Sequence, residues 1–255
     1  MRTTKRVVCV IPARLASTRF PQKALALLAG KPLLQWIWEA ATSIDLFDEV
    51  TFAVDAQEIA DVIKSFGGRY QMTSVACKSG TDRLVELAIQ GKLKADVWVN
   101  WQGDEPFIHR AMIETLLQSI DRDDAECWTL VKRITNPEDI TSPKVAKVVW
   151  DKQGLALYFS RAPIPFFRDE RDLNVLVTKN SYYKHVGLYA YSSQALKKIA
   201  TMGDSILEDA EKLEQLRFLD YGLRFKVHET DQEVFGIDTP EDLAKAERLV
   251  HQKKR

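Results

Sequence analysis

The sequence predicts an α/β protein, a doubly wound and mostly parallel sheet with a smaller β-rich lobe in its second half. Three observations carry this. Val7–Ile11 is an unbroken apolar run rich in β-branched residues, as expected of a strand buried on both faces of a parallel sheet. Strand-like and helix-like stretches then alternate at short spacing as far as Trp101, the pattern of a doubly wound sheet. From about Trp128 the rhythm changes to β-rich runs, one pair of them joined by a short turn.

In chain order, Pro12 is expected to end the first strand, because it has no N–H for a ladder. Pro32 suits the first turn of a helix with Leu33, Ile37, Trp38 and Ala41 on one face. Glu49–Val54 reads as a strand, and Gln57–Phe66 as a helix stopped by Gly67-Gly68. A short strand at Tyr70–Met72 leads to the polar turn Lys78–Arg83 and a helix with Leu84, Leu87 and Ala88 inward. Val97–Trp101 is the next strand, ending in Gln102-Gly103-Asp104-Glu105-Pro106.

In the second half, Val145–Trp150 and Leu155–Ser160 flank Asp151–Gly154 as a β-hairpin. Arg161–Lys179 reads as a long excursion, Tyr182–Tyr191 as a strand alternating around His185, and Leu207–Tyr221 as one helix. Phe225–His228 and Glu233–Ile237 read as short strands, and Pro240–His251 as a closing helix capped at Thr239. With no repeat and no linker-like stretch, residues 1–255 are expected to form one domain, with about 128–230 as an elaborated lobe within it.

The charges balance at 36 basic and 36 acidic residues, which argues against a dedicated nucleic-acid binder. No run of apolar residues is long enough for a membrane-spanning helix, so no membrane insertion is expected. MRTTKR leads into a strand with no cleavage-site pattern, so no signal peptide is expected. Cys9, Cys77 and Cys127 are odd in number and widely spaced, which suits reduced thiols in a cytoplasmic protein.

The chemistry gathers at predicted strand ends. Arg14, Ser17, Arg19 and Lys23 follow the first strand, at the sheet edge where such folds bind ligands. A solvated basic loop is the bland reading of these residues, but their place directly after a buried strand puts phosphate binding ahead; a Walker loop is excluded because its glycine pattern is absent. Asp104 follows a buried strand, and Gly103 before it would let a ligand approach the backbone closely. Asp238 also follows a strand-like run, as a metal ligand or as helix-cap chemistry. Two carboxylates beside a phosphate loop suit Mg²⁺, which is usually held by one or two carboxylates with substrate phosphates and water. No His/Cys cluster has zinc spacing.

Beyond these physical readings, Arg14-x-x-Ser17-x-Arg19-x-Pro21-x-Lys23 followed by Gly30-Lys31-Pro32 resembles the signature of the sugar-acid cytidylyltransferases. Ser79–Arg83, Asn100-x-Gln102-Gly103-Asp104-Glu105-Pro106, Tyr158–Arg161, His185-x-Gly187-x-Tyr189, Leu213–Arg217 and Gly236-x-Asp238-Thr239-Pro240-Glu241-Asp242 resemble the branch of that family acting on 3-deoxy-manno-octulosonate (Kdo). Gln22 and Ala24 depart from the Gly and Pro that often flank the loop lysine there. The resemblance implies a Rossmann-like nucleotidyltransferase fold and transfer of CMP from CTP to Kdo, with Mg²⁺, for lipopolysaccharide biosynthesis. It implies Lys23, Arg14 and Asp104 as catalytic, and Arg14, Ser17, Arg19, Lys23, Ser79, Gly80 and Arg83 as nucleotide-binding. Gln102, Arg161, His185, Tyr189, Glu214 and Gln215 would bind the sugar acid, and Asp104 and Asp238 the metal. Without the resemblance, His185 reads as a core histidine, and Glu214 and Gln215 as a solvated helix face. The resemblance also implies a homodimer built through the lobe. Activation of another sugar acid such as sialic acid, or non-catalytic sensing of a nucleotide sugar, are the alternative functions.

Overall fold

The computed structural model describes residues 3–17, 20–179 and 182–253. The chain divides into two compact units, Met1–Ile113 with Val234–Arg255, and Glu114–Glu233. The first unit opens with β1 (Val7–Ala13), buried at all seven positions. The antiparallel pair β2 (Leu27–Leu28) and β3 (Lys31–Pro32) leads into α1 (Leu33–Thr42). Then come β4 (Glu49–Val54), α2 (Gln57–Ser65), β5 (Tyr70–Met72), α3 (Gly80–Ile89), β6 (Val97–Asn100) and the first turn of α4 (Arg110–Leu117), the rest of which belongs to the second unit. Strand order is β5–β4–β1–β6, all parallel, as the alternating pattern predicts. The closing helix Pro240–Lys253 completes this unit.

Pro12 does not end β1. It pairs with Ala53 inside the strand, which runs on to Ala13. In a parallel strand, residues two apart direct their polar groups to the same side. The Val10 carbonyl accepts from Trp101 N–H on the β6 side, and β6 pairing stops at Val10. An N–H on Pro12 would therefore face a side with no ladder left to join, so proline costs nothing there.

What approaches Gly103 is protein backbone. A Cβ on Gly103 would lie 2.5 Å from the Pro12 carbonyl oxygen, and one on Gly80 would lie 2.9 Å from the Pro12 ring. Both loops can therefore close on the end of β1 only as glycines. Gly103→Ala is expected to cost about 1–3 kcal/mol of stability, measured as a lower urea midpoint with unchanged slope. Glu233–Ile237 forms no strand; the Ile237 N–H instead donates to the Asp104 carbonyl at 2.9 Å.

The second unit contains β7 (Cys127–Arg133), α5 (Pro137–Thr141), β8 (Lys147–Trp150), β9 (Ala156–Ser160) and α6 (Leu173–Thr178). It continues with β10 (Tyr183–Ser192), α7 (Ser193–Ile199), α8 (Ile206–Glu211), α9 (Glu214–Asp220) and β11 (Phe225–Glu229). Its strands run β11–β7–β10–β8–β9, antiparallel except at β11–β7. The expected hairpin is β8–β9, with Gly154 at φ 79° in its turn. The excursion after Arg161 contains α6, capped by the Asp172 carboxylate accepting from Asn174 N–H.

The helix expected over Leu207–Tyr221 is broken into α8 and α9 at Lys212, whose φ of 51° ends α8 in the left-handed region. The carbonyls freed at the break are taken by Arg161, whose Nε donates to Glu211 O and whose Nη2 donates to Lys212 O. All three cysteines are free, with Cys9 and Cys127 buried. Among the described residues no helix is long and apolar enough to cross a membrane.

Candidate functional site

At the carboxyl end of β1 and β6 the first unit encloses a cavity of about 210 Å³, lined by Arg14, Ser17, Lys23, Ser79, Gly80, Arg83, Gln102, Gly103, Asp104 and Asp238 among others. Every residue expected from the first unit that the structure describes is thus on one cavity; Arg19 lies outside the described residues. Arg14 is exposed, and Ser17 half-buried.

Lys23 lies on the short turn Lys23–Leu25, after Gln22 in the left-handed region at φ 55°. Its ammonium is held between two carboxylates, 2.5 Å from Asp104 Oδ2 and 2.9 Å from Asp238 Oδ1. Burial alone would lower its pKa, but the charges and hydrogen bonds of Asp104 and Asp238 outweigh this and raise it. Cap duty for the closing helix falls on Thr239, whose hydroxyl accepts from Asp242 N–H while the Asp242 carboxylate accepts from Thr239 N–H. The Asp238 carboxylate is left facing Lys23.

The opposite wall is the N-terminus of α3. Ser79 caps it by accepting from Asp82 N–H at 3.1 Å, and the Asp82 carboxylate accepts from Ser79 N–H in return. Arg83 spends its guanidinium within the protein, on Asp55 at 2.8 Å, Thr73 Oγ1 at 2.7 Å and the Ser74 carbonyl at 3.2 Å. Asp55 also accepts from Leu15 N–H at 2.9 Å, tying the basic loop to α3. Asp55 escaped the sequence reading, although a carboxylate directly after β4 carried the same signal as Asp104.

Glu105 escaped it too. Burial, then the charges of Asp104 and Asp238, push its carboxyl up to about 8 against the opposing pull of Lys23, so it is mostly protonated at neutral pH.

In the second unit, the Tyr189 hydroxyl donates to Gln215 Oε1 at 3.2 Å, and the Gln215 Nε2 group is buried without a hydrogen-bond partner among the described residues. Gln215 is thus a buried side chain, not a solvated one. Glu214 Oε1 lies 3.7 Å from Arg217. The His185 ring packs edge-on to Phe159, with centroids 5.1 Å apart, and tilted against Tyr189 at 5.2 Å. Its Nε2 lies 2.9 Å from Thr129 Oγ1. The same Thr129 hydroxyl also lies within hydrogen-bond distance of the carbonyls of Val186 at 3.2 Å and Leu188 at 3.0 Å. The Arg161 guanidinium donates to the carbonyls of Pro143, Glu211 and Lys212. Of its five N–H groups, one on each terminal nitrogen is uncommitted among the described residues.

Burial holds His185 neutral, with its pKa pushed down to about 3, and burial beside Lys226 and Arg122 pushes His228 down to about 4. Unfolded, both rings would titrate near 6.5, so the unfolded chain binds more protons between those limits. Stability present above pH 6.5 is therefore lost as pH falls toward the folded values, by about 2 kcal/mol per ring at pH 5. Urea midpoints at pH 7 and pH 5 check this, and His228→Gln is expected to flatten the dependence.

A cytidylyltransferase family model matches residues 8–225. The chain belongs to the cytidylyltransferase family. Its relatives include the 3-deoxy-manno-octulosonate cytidylyltransferases of Geotalea uraniireducens, 48% identical over 96% of this chain and 99% of the relative, and of Geobacter metallireducens, 46% identical over 94% and 96%. Among solved structures, a CMP:2-keto-3-deoxy-manno-octonic acid synthetase complexed with CTP is 38% identical, with a TM-score of 0.88, covering 97% of this chain and 99% of that one. A 4-diphosphocytidyl-2C-methyl-D-erythritol synthase from Anaerococcus prevotii shares the fold alone, at 12% identity and a TM-score of 0.61 over 97% and 99% of the two chains. The cytidylyltransferase fold is thus the mostly parallel, doubly wound class with a β-rich part that the sequence predicts.

Proposed function

We propose that this cytidylyltransferase transfers CMP from CTP to Kdo and releases pyrophosphate. The observation that carries the reading is the Lys23 ammonium clasped by Asp104 and Asp238 in a cavity walled by Arg14 and the capped start of α3. The named relatives support the choice of nucleotide and sugar acid.

In the reaction, the anomeric hydroxyl of Kdo attacks the α-phosphorus, and the bond to the pyrophosphate oxygen breaks. Negative charge grows on phosphate oxygens and on the leaving group, so preorganised cations are the main catalytic tool. Lys23 meets this charge within the cavity, and Arg14 grips the triphosphate from its exposed position with Ser17 beside it; Arg19 is assigned to the nucleotide from the sequence motif. Ser79 and Gly80 face the pyrimidine and ribose, while Arg83 acts from behind them through Asp55.

Asp104 and Asp238 fit Mg²⁺, because two hard carboxylates converge on one point already shaped for a cation. Bound there, Mg²⁺ supplies positive charge against phosphate oxygens and makes a nearby hydroxyl more acidic. Gln102, Arg161, His185, Tyr189, Glu214 and Gln215 are assigned to the sugar acid. Neutral His185 serves as a hydrogen-bonding group and not as a cation, while the two uncommitted Arg161 N–H groups suit a carboxylate. On this reading the chain is one nucleotidyltransferase domain whose residues 128–230 bind the sugar acid and form a homodimer. It works in the cytoplasm toward lipopolysaccharide.

The test is Mg²⁺-dependent pyrophosphate release from CTP with Kdo and sialic acid offered separately. Release with Kdo is expected. Release with sialic acid alone would overturn the sugar assignment, and silence with both in a protein that binds CTP would favour a sensor.

A further inference from the structure

Lys147 is fully buried in β8, yet forms no ion pair among the described residues. Its three N–H donors are all spent on backbone carbonyls, of Ser142 at 2.9 Å, Val145 at 2.6 Å and Arg161 at 2.6 Å. Burying an ammonium is costly, and an apolar side chain of similar volume would fill the same space at less cost. What this lysine does in return is join three backbone carbonyls through one ammonium. Burial lowers its pKa, with the Glu211 charge pulling the other way.

The segments it holds are those of the sugar-acid residues. Arg161 answers by donating from Nη1 to Pro143 O at 2.8 Å, inside the turn whose other carbonyls Lys147 takes. Glu211 closes the network: its carboxylate accepts from Arg161 N–H and Ser160 Oγ–H, and its carbonyl accepts from Arg161 Nε. On the other side of β8, the carbonyl of Ala146 accepts from His185 N–H at 2.8 Å. Lys147 therefore stands between the backbones of Arg161 and His185, and it fixes the turn that supplies one of the three carbonyls orienting the Arg161 fork, that of Pro143.

We infer that Lys147 is a positioning residue for sugar-acid recognition, setting through the 142–145 turn how the Arg161 guanidinium is presented to the carboxylate. This rests on the assignment of Kdo as acceptor and of Arg161 to its carboxylate.

The test compares Lys147→Met with the wild type, in the full chain, by steady-state kinetics in each substrate. KM for Kdo is expected to rise about tenfold or more while KM for CTP stays within about twofold. In an Arg161→Met background the Lys147→Met effect is expected to shrink to about twofold or less, because residues acting as a unit are not additive. Equal rises in both KM values, a loss confined to kcat, or additivity with Arg161→Met would overturn the inference and leave a structural role. If Lys147→Met does not fold, Lys147→Gln is read in the same way, since it removes the charge and keeps a donor. A wild type that turns over Kdo, with variants whose KM for Kdo is unchanged, overturns this inference alone. A wild type inactive with Kdo overturns the functional reading, and the inference falls with it.

Discussion

Lys23→Met is expected to lower turnover by about 10³-fold or more, because it removes the cation at the centre of the site that meets charge growing on the leaving pyrophosphate. The Lys23 ammonium is the shared partner of Asp104 and Asp238, at 2.5 and 2.9 Å. Its removal also leaves two partly exposed carboxylates facing each other, which weakens triphosphate binding by repulsion. Urea unfolding is expected to be nearly unchanged, since the pair is not deeply buried and such pairs contribute little to stability. Pyrophosphate release with saturating substrates gives the rate, and CTP titration calorimetry gives the binding loss. Turnover within tenfold of wild type would remove Lys23 from the catalytic set.

The second large effect is expected from Asp104→Asn. It keeps shape and some hydrogen bonding but removes one charge, and is expected to cost about 10²–10³-fold in kcat with a smaller loss of CTP affinity. Two causes add. The cation site loses an anionic oxygen donor, and Lys23 loses the charge of the nearer of the partners that hold its pKa up against burial. Asp238→Asn is expected to act in the same direction. Rates measured across a Mg²⁺ series separate the two causes: a lost metal donor raises the concentration for half-maximal rate, and a lost Lys23 partner does not. No change in either rate or Mg²⁺ dependence for both variants would remove the carboxylates from the site.

The parts legible in the sequence are those set by local burial. Strands β1, β4 and β6 are apolar runs because they are buried, and Asp104 and the basic loop stand out because they follow such runs. Long-range partners decided the rest. Lys212 breaks a helix that periodicity would continue, because Arg161 offers donors to the freed carbonyls from about fifty residues away. Pro12 is tolerated because β6 ends beside it, and Gly103 is required by a contact with Pro12 that no neighbouring residue announces. Glu233–Ile237 has strand composition but no strand to pair with. In the site, Lys23 meets Asp104 and Asp238 across 81 and 215 residues, a convergence that residue types alone suggest but do not fix. Asp55 follows β4 as Asp104 follows β6, but its role behind Arg83 and Leu15 is set by hydrogen bonds to residues distant in sequence.

The most direct test of CMP transfer is a product inventory by mass spectrometry after incubation with CTP, Kdo and Mg²⁺. One CMP–Kdo conjugate is expected for each pyrophosphate released, with no free CMP beyond slow hydrolysis of the product. Pyrophosphate accompanied by free CMP and no conjugate at any time would contradict transfer and leave CTP hydrolysis in its place.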